Sequence, residues 1–433
     1  MAHVNAFVEI CNHDERFFAC PICWPVLPEE EAAFSGLTGE FVRSFVLSSE
    51  ADPFALAGTF LTLAGNRFGP RAHAKVGAGA HPGRLFFVAV GETSVARKGV
   101  SFAETSSVYE AALPGWYEGY VFKGFGSGEA LIARVAERMN TGQGNVEAIH
   151  DPRVVVHESE FSSLLRVASR DGSILSGIVR DAWDGISLQN NVKRERIVAP
   201  PGHMVSLVAH VTADELRREM TRTDIANGFA NRFLFAKVRR TRRIAHPETV
   251  DPTEVAAKLK EVIARAAGVG EMRFTQVGAD TWTLAYEALE DAADSSAGLV
   301  APLLARGSAQ TLRLAVVYAL LDGSSLITAE HIESALAFWF RCSRGIQDIF
   351  GDATGNPIAD RIAAAIDVSE DGLSREEVSA VLGRNRSKPQ IDAAIDVLVA
   401  SGRYVQEQRS TGGRPAAVLA RRVSYEGTNE GAW

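Results

Sequence analysis

Residues 86–102, FFVAVGETSVARKGVSF, combine the residue types that bind a nucleotide phosphate. Such a site needs a strand, a loop that offers backbone N–H groups, a lysine and the amino end of a helix. The pattern predicts all four, with Gly91 at the end of the strand and Lys98 near the start of the helix. We expect Lys98 to reach the terminal phosphates of ATP and the hydroxyl of Ser101 to contact Mg²⁺.

The loop departs from the common phosphate-loop pattern, G-x-x-x-x-G-K-[ST], at three positions. Gly91 lies one residue farther from Lys98 than the pattern has it. Arg97 stands where the pattern has its second glycine, and Gly99 stands where it has a hydroxyl residue. The alternative is therefore an ordinary strand, loop and helix with a solvated Arg-Lys pair.

Acidic side chains follow a second apolar strand, RVVVHESEF at 153–161. Glu158 and Glu160 are two residues apart, a spacing that places side chains on one face of a strand. A phosphate site needs acidic groups on a neighbouring strand. We expect one of the two carboxylates to organise Mg²⁺ and the other to polarise the attacking water. The alternative is a solvated strand end.

Two further strands carry polar residues that bear on this site. The strand at 204–212, MVSLVAHVT, ends in His210 and Thr212, and ligands of open α/β sheets bind beyond the carboxyl ends of the strands. Arg232 is predicted to open the strand at 231–240. Two interpretations of Arg232 stay open: an arginine finger that completes the site of a neighbouring subunit, or a structural arginine paired with an acid.

Strands that alternate with helices predict an α/β fold with a mainly parallel sheet. The predicted regions are a cysteine-containing segment (1–30), a helical region (31–80), an α/β core (81–250), a second helical region (251–350), a compact C-terminal unit (358–422) and a tail (423–433).

The C-terminal unit has the pattern of a winged helix-turn-helix. A helix, a second helix with a capping box, a turn, a longer helix and a hairpin with a glycine-rich wing follow one another. Scattered basic residues with few acids between them favour contacts with DNA phosphates. The alternative is a protein-docking module. The predicted DNA-contacting residues are Arg384, Arg386, Lys388, Arg409 and Arg414.

The first residues contain a possible zinc site. Cys20 and Cys23 form a C-x-x-C pair, and Cys11 and His13 lie shortly before them. These side chains supply the four ligands that a structural Zn²⁺ needs. The alternative is a chance cluster without metal.

Composition and charge argue against a membrane-spanning protein, a secreted protein and a protein with a generally basic surface. The chain has 433 residues, 46% of them hydrophobic, and a formal net charge of −8, so contacts with nucleic acid must come from local basic patches. No apolar run has the length of a membrane span, and the amino end lacks a signal-peptide pattern. The 4 cysteines are too few for a disulfide framework. We therefore expect a cytoplasmic protein.

Several segments together resemble a family of RecA-like P-loop ATPases of phages, plasmids and integrated elements. This family was long described only as a domain of unknown function, and it is associated with primase-polymerase domains. The resemblance covers roughly residues 40–420. The segments that carry it are VGETSVARKGVS, FGSGEALI, VVVHESEF, SILSGIVRDAWDG, VAHVTADELRREMTRTDIANGFANRFLF and TGGRPA.

The resemblance implies a RecA-like core with an ATP site at Lys98, an acidic strand end at Glu158 and Glu160, and a role near DNA replication or element maintenance. We expect an ATPase of the helicase or replication type. RecA-like cores often complete catalysis with a basic residue of a neighbouring subunit, so we expect a homo-oligomer. A ring is one form that such an oligomer takes. A primase or another replication protein is the further partner implied. Two other functions stay open: a DNA-binding scaffold whose degenerate loop does not hydrolyse ATP, and an ATP-driven switch in a mobile-element defence system.

Overall fold

The computed structural model of this chain describes residues 18, 23–91, 98–139, 151–191, 196–296, 298–351, 354, 356–369, 371–400, 403–409 and 416–422. These residues fall into two units. The first lies within Met1–Asp294 and Pro302–Ile346, and the second within Ser295–Ala301 and Gln347–Trp433.

The first unit alternates strands and helices. Its helices are α1 (Gly36–Val46), α2 (Pro53–Phe68), α3 (Lys98–Ala112), α4 (Trp116–Tyr120), α5 (Gly128–Arg138), α6 (Phe161–Ala168), α7 (Leu175–Asp184), α8 (Ala213–Glu219), α9 (Arg222–Ala226), α10 (Thr253–Ala266), α11 (Gln276–Asp294) and α13 (Gly307–Leu321). Its strands are β1 (His73–Val76), β2 (Gly79–Pro82), β3 (Phe86–Val90), β4 (Val121–Lys123), β5 (Arg153–Glu158), β6 (Leu188–Asn191), β7 (Arg196–Ala199), β8 (Met204–Val211), β9 (Leu234–Lys237), β10 (Glu271–Phe274) and β11 (Leu326–Ile327). Helices α12 (Val300–Leu304) and α14 (Ala329–Phe350) carry residues of both units.

A parallel sheet forms the centre of the first unit. Within the described residues its five strands have the order β4-β5-β8-β3-β9, and every neighbouring pair is parallel. Every residue of β3 and of β8 is buried, as expected of strands covered on both faces. Helices α2 and α3 pack together against the sheet, and α6, α7 and α8 form a second group of helices beside β8. The prediction of an α/β fold with a parallel sheet is confirmed.

The buried helix α2 is tied to the amino edge of this sheet. The side-chain amide of Asn66, in its last turn, donates to the carbonyl of Val154 at 3.0 Å and to that of Met204 at 2.9 Å. These acceptors belong to neighbouring strands, β5 and β8. Asn66 therefore fixes the end of α2 against both strands.

Short strands were the part of the fold that the sequence pattern missed. The helical prediction for residues 31–80 holds as far as Phe68, but β1 and β2 follow. Within the predicted helical region 251–350, β10 and β11 also occur. These four strands form a separate mixed sheet with the order β11-β10-β1-β2. Strands of two to four residues carry too few alternations to give a periodic signal.

The second unit contains three helices and three strands within its described residues from 357 onward. They are α15 (Pro357–Asp367), β12 (Leu373–Ser374), α16 (Arg375–Val381), α17 (Lys388–Ala400), β13 (Tyr404–Arg409) and β14 (Ala416–Arg421). The strands form an antiparallel sheet with the order β12-β14-β13. Ser374 and Glu377 form the predicted capping box of α16. The predicted helices and hairpin are thus present.

Along the described part of the chain, no helix combines the length and the apolar character needed to cross a membrane.

Candidate functional site

The carboxyl edge of the central sheet places Gly91, where the predicted phosphate loop begins, near the acidic end of β5. Strands β3, β8 and β5 are neighbours and run in the same direction, so they end at one edge. The backbone N–H of Gly91, directly after β3, donates to the carbonyl of Val211 at the end of β8, at 3.0 Å. The acidic end of β5 lies one strand beyond β8. The loop after β3 therefore begins within one strand of Glu158.

At this edge, the connections that follow the adjacent strands β3 and β8 run towards opposite sides of the sheet. From β3 it runs through α3 and α4 to β4, on the far side of β8 and β5. From β8 it runs through α8 and α9 to β9, on the other side of β3. Such a switch point opens a crevice beyond the strand ends, where open α/β sheets bind their ligands. The predicted site occupies this position.

The predicted phosphate-loop residues are described only in part. Residues 92–97, and with them Arg97, lie outside the described residues. Lys98 begins α3, so the predicted strand and helix on both sides of the loop are confirmed. Gly99 is exposed, and a Cβ placed on it would meet no atom within 4 Å. Ser101 is buried in the first turn of α3.

A turn, rather than a strand face, brings the two glutamates together. Glu158 is the last residue of β5, and Glu160 is the N-cap residue of α6. The prediction that strand alternation places them on one face is therefore wrong, because the strand has ended before Glu160. Instead, the backbone N–H of Glu160 donates to Oε1 of Glu158 at 3.2 Å.

The environments of these two carboxylates differ. Glu158 is half-buried, and burial raises its pKa above the ordinary value; the Glu160 N–H acts in the opposite direction, and the charge of Glu160 raises it further. A Cβ on Gly124, after β4, would lie 2.8 Å from Oε2 of Glu158. The absence of a side chain at Gly124, whose φ of +52° also favours glycine, thus leaves room for this carboxylate. Glu160 is exposed.

Two histidine rings meet near the carboxyl ends of β5 and β8, on the face of the sheet opposite to the Glu158 side chain. The ring of His157 stacks on Phe102 of α3, with centroids 3.6 Å apart and planes within 4°. The ring of the buried His210, in β8, meets that of His157 edge-on at 5.7 Å. Burial, with a contribution from Lys123, lowers the pKa of His157 to about 4, so this ring is neutral at neutral pH. His210 was predicted from the sequence, whereas His157 was not, although His157 directly precedes Glu158 in VVVHESEF.

A third carboxyl group, that of Glu104, lies on α3. Burial raises the pKa of Glu104 to about 7, while the hydrogen bond from Ser49 acts in the opposite direction. The hydroxyl of Ser49 donates to Oε2 of Glu104 at 2.7 Å. This carboxyl group changes charge near neutral pH on the helix that follows the loop. Sequence pattern gave no sign of it, since Ser49 is 55 residues away.

Arg232 lies at the opposite edge of the sheet from Gly91. The predicted strand start is wrong, because Arg232 ends a short 3-10 turn and β9 begins only at Leu234. The buried guanidinium pairs with Asp184, with Nη2 2.6 Å from Oδ2, and also donates to the carbonyl of Gly228. Of the two interpretations, the geometry favours a structural arginine.

The remaining predicted sites are described in part. Arg384, Arg386 and Lys388 are exposed at the turn and helix start between α16 and α17. Arg414 and the side chain of Arg409 lie outside the described residues.

Most of the predicted zinc site also lies outside the described residues. Cys11, His13 and Cys20 belong to that undescribed part, whereas Cys23 is described and buried. Among the residues that the structure describes, no group of three His, Cys, Asp or Glu side chains is arranged to hold a metal ion. The zinc site stays a prediction.

The chain matches no model of a known protein family, and no curated protein matches its sequence.

Proposed function

We propose that this chain is an ATP-binding and ATP-hydrolysing protein that acts on DNA, of the helicase or replication type, with a RecA-like core. The strand order of the central sheet carries this proposal. One strand, β8, separates the strand before the predicted phosphate loop from the strand that ends in Glu158. RecA-like cores share this arrangement, in which the inserted strand brings polar groups to the site between loop and acid. Here His210, near the end of β8, supplies that group.

The residues at this edge have chemical roles that suit ATP hydrolysis. The amino end of α3 and Lys98 bind the phosphates, because helix N–H groups and an ammonium group both attract negative charge. Glu158 polarises the attacking water, since a half-buried carboxylate with a raised pKa is a better base than an exposed one. Glu160, exposed beside it, organises Mg²⁺, which prefers oxygen ligands.

The second unit supports a role on DNA. The order α15-β12-α16-α17-β13-β14, with an antiparallel β12-β14-β13 sheet, supports the interpretation of this unit as a winged helix. In helix-turn-helix proteins the second helix of the motif enters the major groove. Here α17 occupies that position, and the exposed Arg384, Arg386 and Lys388 lie at its start. Basic residues at such a position contact phosphates and fix the protein on the duplex.

A DNA-binding scaffold that binds ATP without turnover is the second candidate function. The sequence of the loop favours it, because Arg97 and Gly99 replace the glycine and the hydroxyl residue of the common pattern. An oligomer with ATP sites between subunits, and a primase as partner, belong to the first function.

ATP hydrolysis measured with and without DNA separates the two functions. The first function predicts Mg²⁺-dependent turnover that DNA stimulates and that Lys98→Ala abolishes. Lys75→Ala, which changes an exposed lysine of the small mixed sheet, is the matched control and should keep full turnover. ATP binding without turnover, with every DNA tested, would leave the scaffold function.

A further inference from the structure

Three arginines surround Tyr120 at the amino edge of the central sheet. Arg67 lies in the last turn of α2, Arg138 is the last residue of α5, and Arg153 is the first residue of β5. Their guanidinium carbons lie 4.5, 4.6 and 5.5 Å from the centre of the Tyr120 ring. With Asp151 these residues form what we call the Tyr120 cluster. The cluster lies at the edge opposite to the candidate nucleotide site.

Asp151 supplies the negative charge of this cluster, and its oxygens are already in use. Arg153 donates through Nε to Oδ1 of Asp151 at 2.6 Å and through Nη2 to Oδ2. The hydroxyl of Tyr120 donates to Oδ2 at 2.7 Å. Although burial opposes it, this hydrogen bonding from Arg153 and Tyr120 lowers the pKa of Asp151 to about 2, so the carboxylate stays charged. Arg138 approaches no closer than 3.8 Å, too far for a hydrogen bond.

Arg67 and Arg138 are left with unused hydrogen-bond donors. Only 8% of Arg67 and 6% of Arg138 is exposed. Among the described residues, Nε and Nη1 of Arg67 and Nε and Nη2 of Arg138 are buried and have no hydrogen-bond partner. Buried donors without acceptors are costly, and an arginine does not escape this cost by losing its proton. Burial and the charge of Arg153 lower the pKa of Arg67, while its interactions with Tyr120 and Asp151 act in the opposite direction.

We propose that the Tyr120 cluster binds a phosphoryl group. Within the described residues, the three guanidinium groups and one carboxylate of the cluster leave two positive charges without compensation, and a phosphoryl dianion supplies two negative charges. Its oxygens accept hydrogen bonds in several directions, which suits donors that come from three different elements. A chloride ion or a carboxylate carries only one charge. Arginine is also the side chain whose planar fork fits phosphate oxygens best.

The Tyr120 cluster is accessible to solvent on one side, and hydrogen bonds fix the elements around it. The side chains of Arg153 and Asp151 are 23% and 15% exposed, so the cluster opens to solvent on their side. Arg153 Nη1 donates to the carbonyl of Arg67 at 2.8 Å, which joins α2 to β5 directly. The neighbouring Asn66 ties the same end of α2 to β5 and β8. The end of α2 that carries Arg67 and the side chain of Arg153 are therefore held in place before the anion arrives, which favours binding.

Thermal unfolding with and without inorganic phosphate tests this proposal. The difference in Tm between wild type and Arg138→Gln should depend on whether phosphate is present. In phosphate-free buffer, Arg138→Gln should be at least as stable as the wild type, because it removes a buried charge whose Nε and Nη2 donate no hydrogen bond to the described residues. With phosphate present, the Tm of the wild type should rise and that of Arg138→Gln should not, since only a folded state that binds the anion gains stability. Arg67→Gln repeats the test from a different helix.

Two controls accompany this measurement. Arg134→Gln changes a half-exposed arginine of the same helix, α5, that pairs with Glu137, and it should keep the full phosphate response. Sodium chloride at equal ionic strength should raise no Tm. The proposal is overturned if phosphate leaves the wild-type Tm unchanged, or if Arg138→Gln and Arg67→Gln respond as strongly as the wild type.

Direct phosphate binding, followed by phosphorus NMR, separates this site from the proposed ATP site. The Lys98→Ala protein should bind inorganic phosphate as the wild type does, whether or not the chain binds ATP. Arg138→Gln should bind it about tenfold more weakly or worse, the effect of losing one charge-assisted hydrogen bond. Loss of phosphate binding in Lys98→Ala would assign the anion to the loop after β3 and contradict the proposal.

Two oligonucleotides distinguish the source of the phosphoryl group. If a 5′-phosphorylated strand displaces inorganic phosphate and the same strand with a 5′-hydroxyl does not, the group comes from a nucleic-acid end. If neither strand displaces it, the ligand is free phosphate or a small phosphate ester. Equal displacement by both strands would show that the cluster does not recognise a phosphoryl group, and would overturn the proposal.

Discussion

The backbone N–H of Glu160 donates to Oε1 of Glu158 at 3.2 Å, across the turn that joins β5 to α6. This bond holds one oxygen of the half-buried carboxylate and leaves Oε2 beside Gly124 at the sheet edge. The two glutamates are therefore unequal, with Glu158 fixed by the turn and Glu160 exposed at the start of a helix.

Replacing Glu158 should separate ATP binding from ATP hydrolysis. Glu158→Gln keeps the shape and the hydrogen bond to Glu160 but removes the base. Turnover should fall by about 10² to 10⁴, the usual contribution of a positioned general base, while ATP affinity changes little. Glu160→Gln is the matched comparison and should have a smaller effect on turnover. Full activity in Glu158→Gln would exclude Glu158 as the base.

Glu104 should make the stability of the protein depend on pH. Because burial raises its pKa from 4.5 to about 7, the folded state prefers the protonated form and loses stability as the pH rises through this window. Glu104→Gln stays neutral, so it should exceed the wild type by about 1–3 kcal/mol above pH 7 and match it below pH 4.5. Urea unfolding at pH 4.5 and pH 8 measures this difference.

An exposed acid provides the control for this measurement. Glu118→Gln should leave the stability within a few tenths of a kcal/mol at both pH values, as expected of a surface substitution. An equal gain for Glu104→Gln at both pH values would mean that packing, and not ionisation, causes it.

Arg232 should behave as a structural residue. Arg232→Ala removes one partner of the ion pair with Asp184 and leaves the carboxylate, so the free energy of unfolding should fall by about 2–4 kcal/mol. Arg217→Ala, at an exposed arginine of α8, should change the free energy of unfolding little.

Mixing Arg232→Ala with Lys98→Ala protein distinguishes the two interpretations of Arg232. Restored ATPase activity in the mixture, with unchanged stability, would support an arginine finger after all.

The basic residues at the start of α17 should control binding to DNA. Replacing Arg384, Arg386 and Lys388 together by alanine removes three positive charges from an exposed turn and helix start. The slope of log affinity against log salt should become smaller by about 2–3, because fewer counterions are released. Lys260→Ala, at an exposed lysine of α10, should leave the slope unchanged. An unchanged slope in the triple variant would remove this turn from the DNA interface.

The sequence predicted those parts of the fold that carry long apolar runs. Strands β3 and β8 are buried along their whole length, so their composition alone marked them. Strand β4 has three residues and borders only β5, so it gave no such signal. The proximity of Glu158 and Glu160 was predicted for the wrong reason. The sequence pattern of a strand extends to Glu160, but the backbone leaves the strand after Glu158 and turns into α6.

Contacts between distant residues could not be predicted from one sequence. The Tyr120 cluster joins Arg67 to Arg153, 86 residues apart, because α2 crosses to the amino edge of the sheet. Nothing in the local sequence of either arginine indicates this meeting. For the same reason the pairing of Arg232 with Asp184, 48 residues away, was left open between two interpretations until the fold placed them together.

The binding of ATP to the purified protein tests the central claim most directly. Equilibrium titration with ATP and Mg²⁺ should give saturable binding of about one ATP per chain, as expected of one phosphate loop at one switch point. Lys98→Ala should lose this binding while keeping the wild-type Tm without nucleotide, and Lys75→Ala should bind as the wild type does. Absence of saturable binding in the wild type, or equal affinity in Lys98→Ala, would contradict the proposal that the loop after β3 is a nucleotide site.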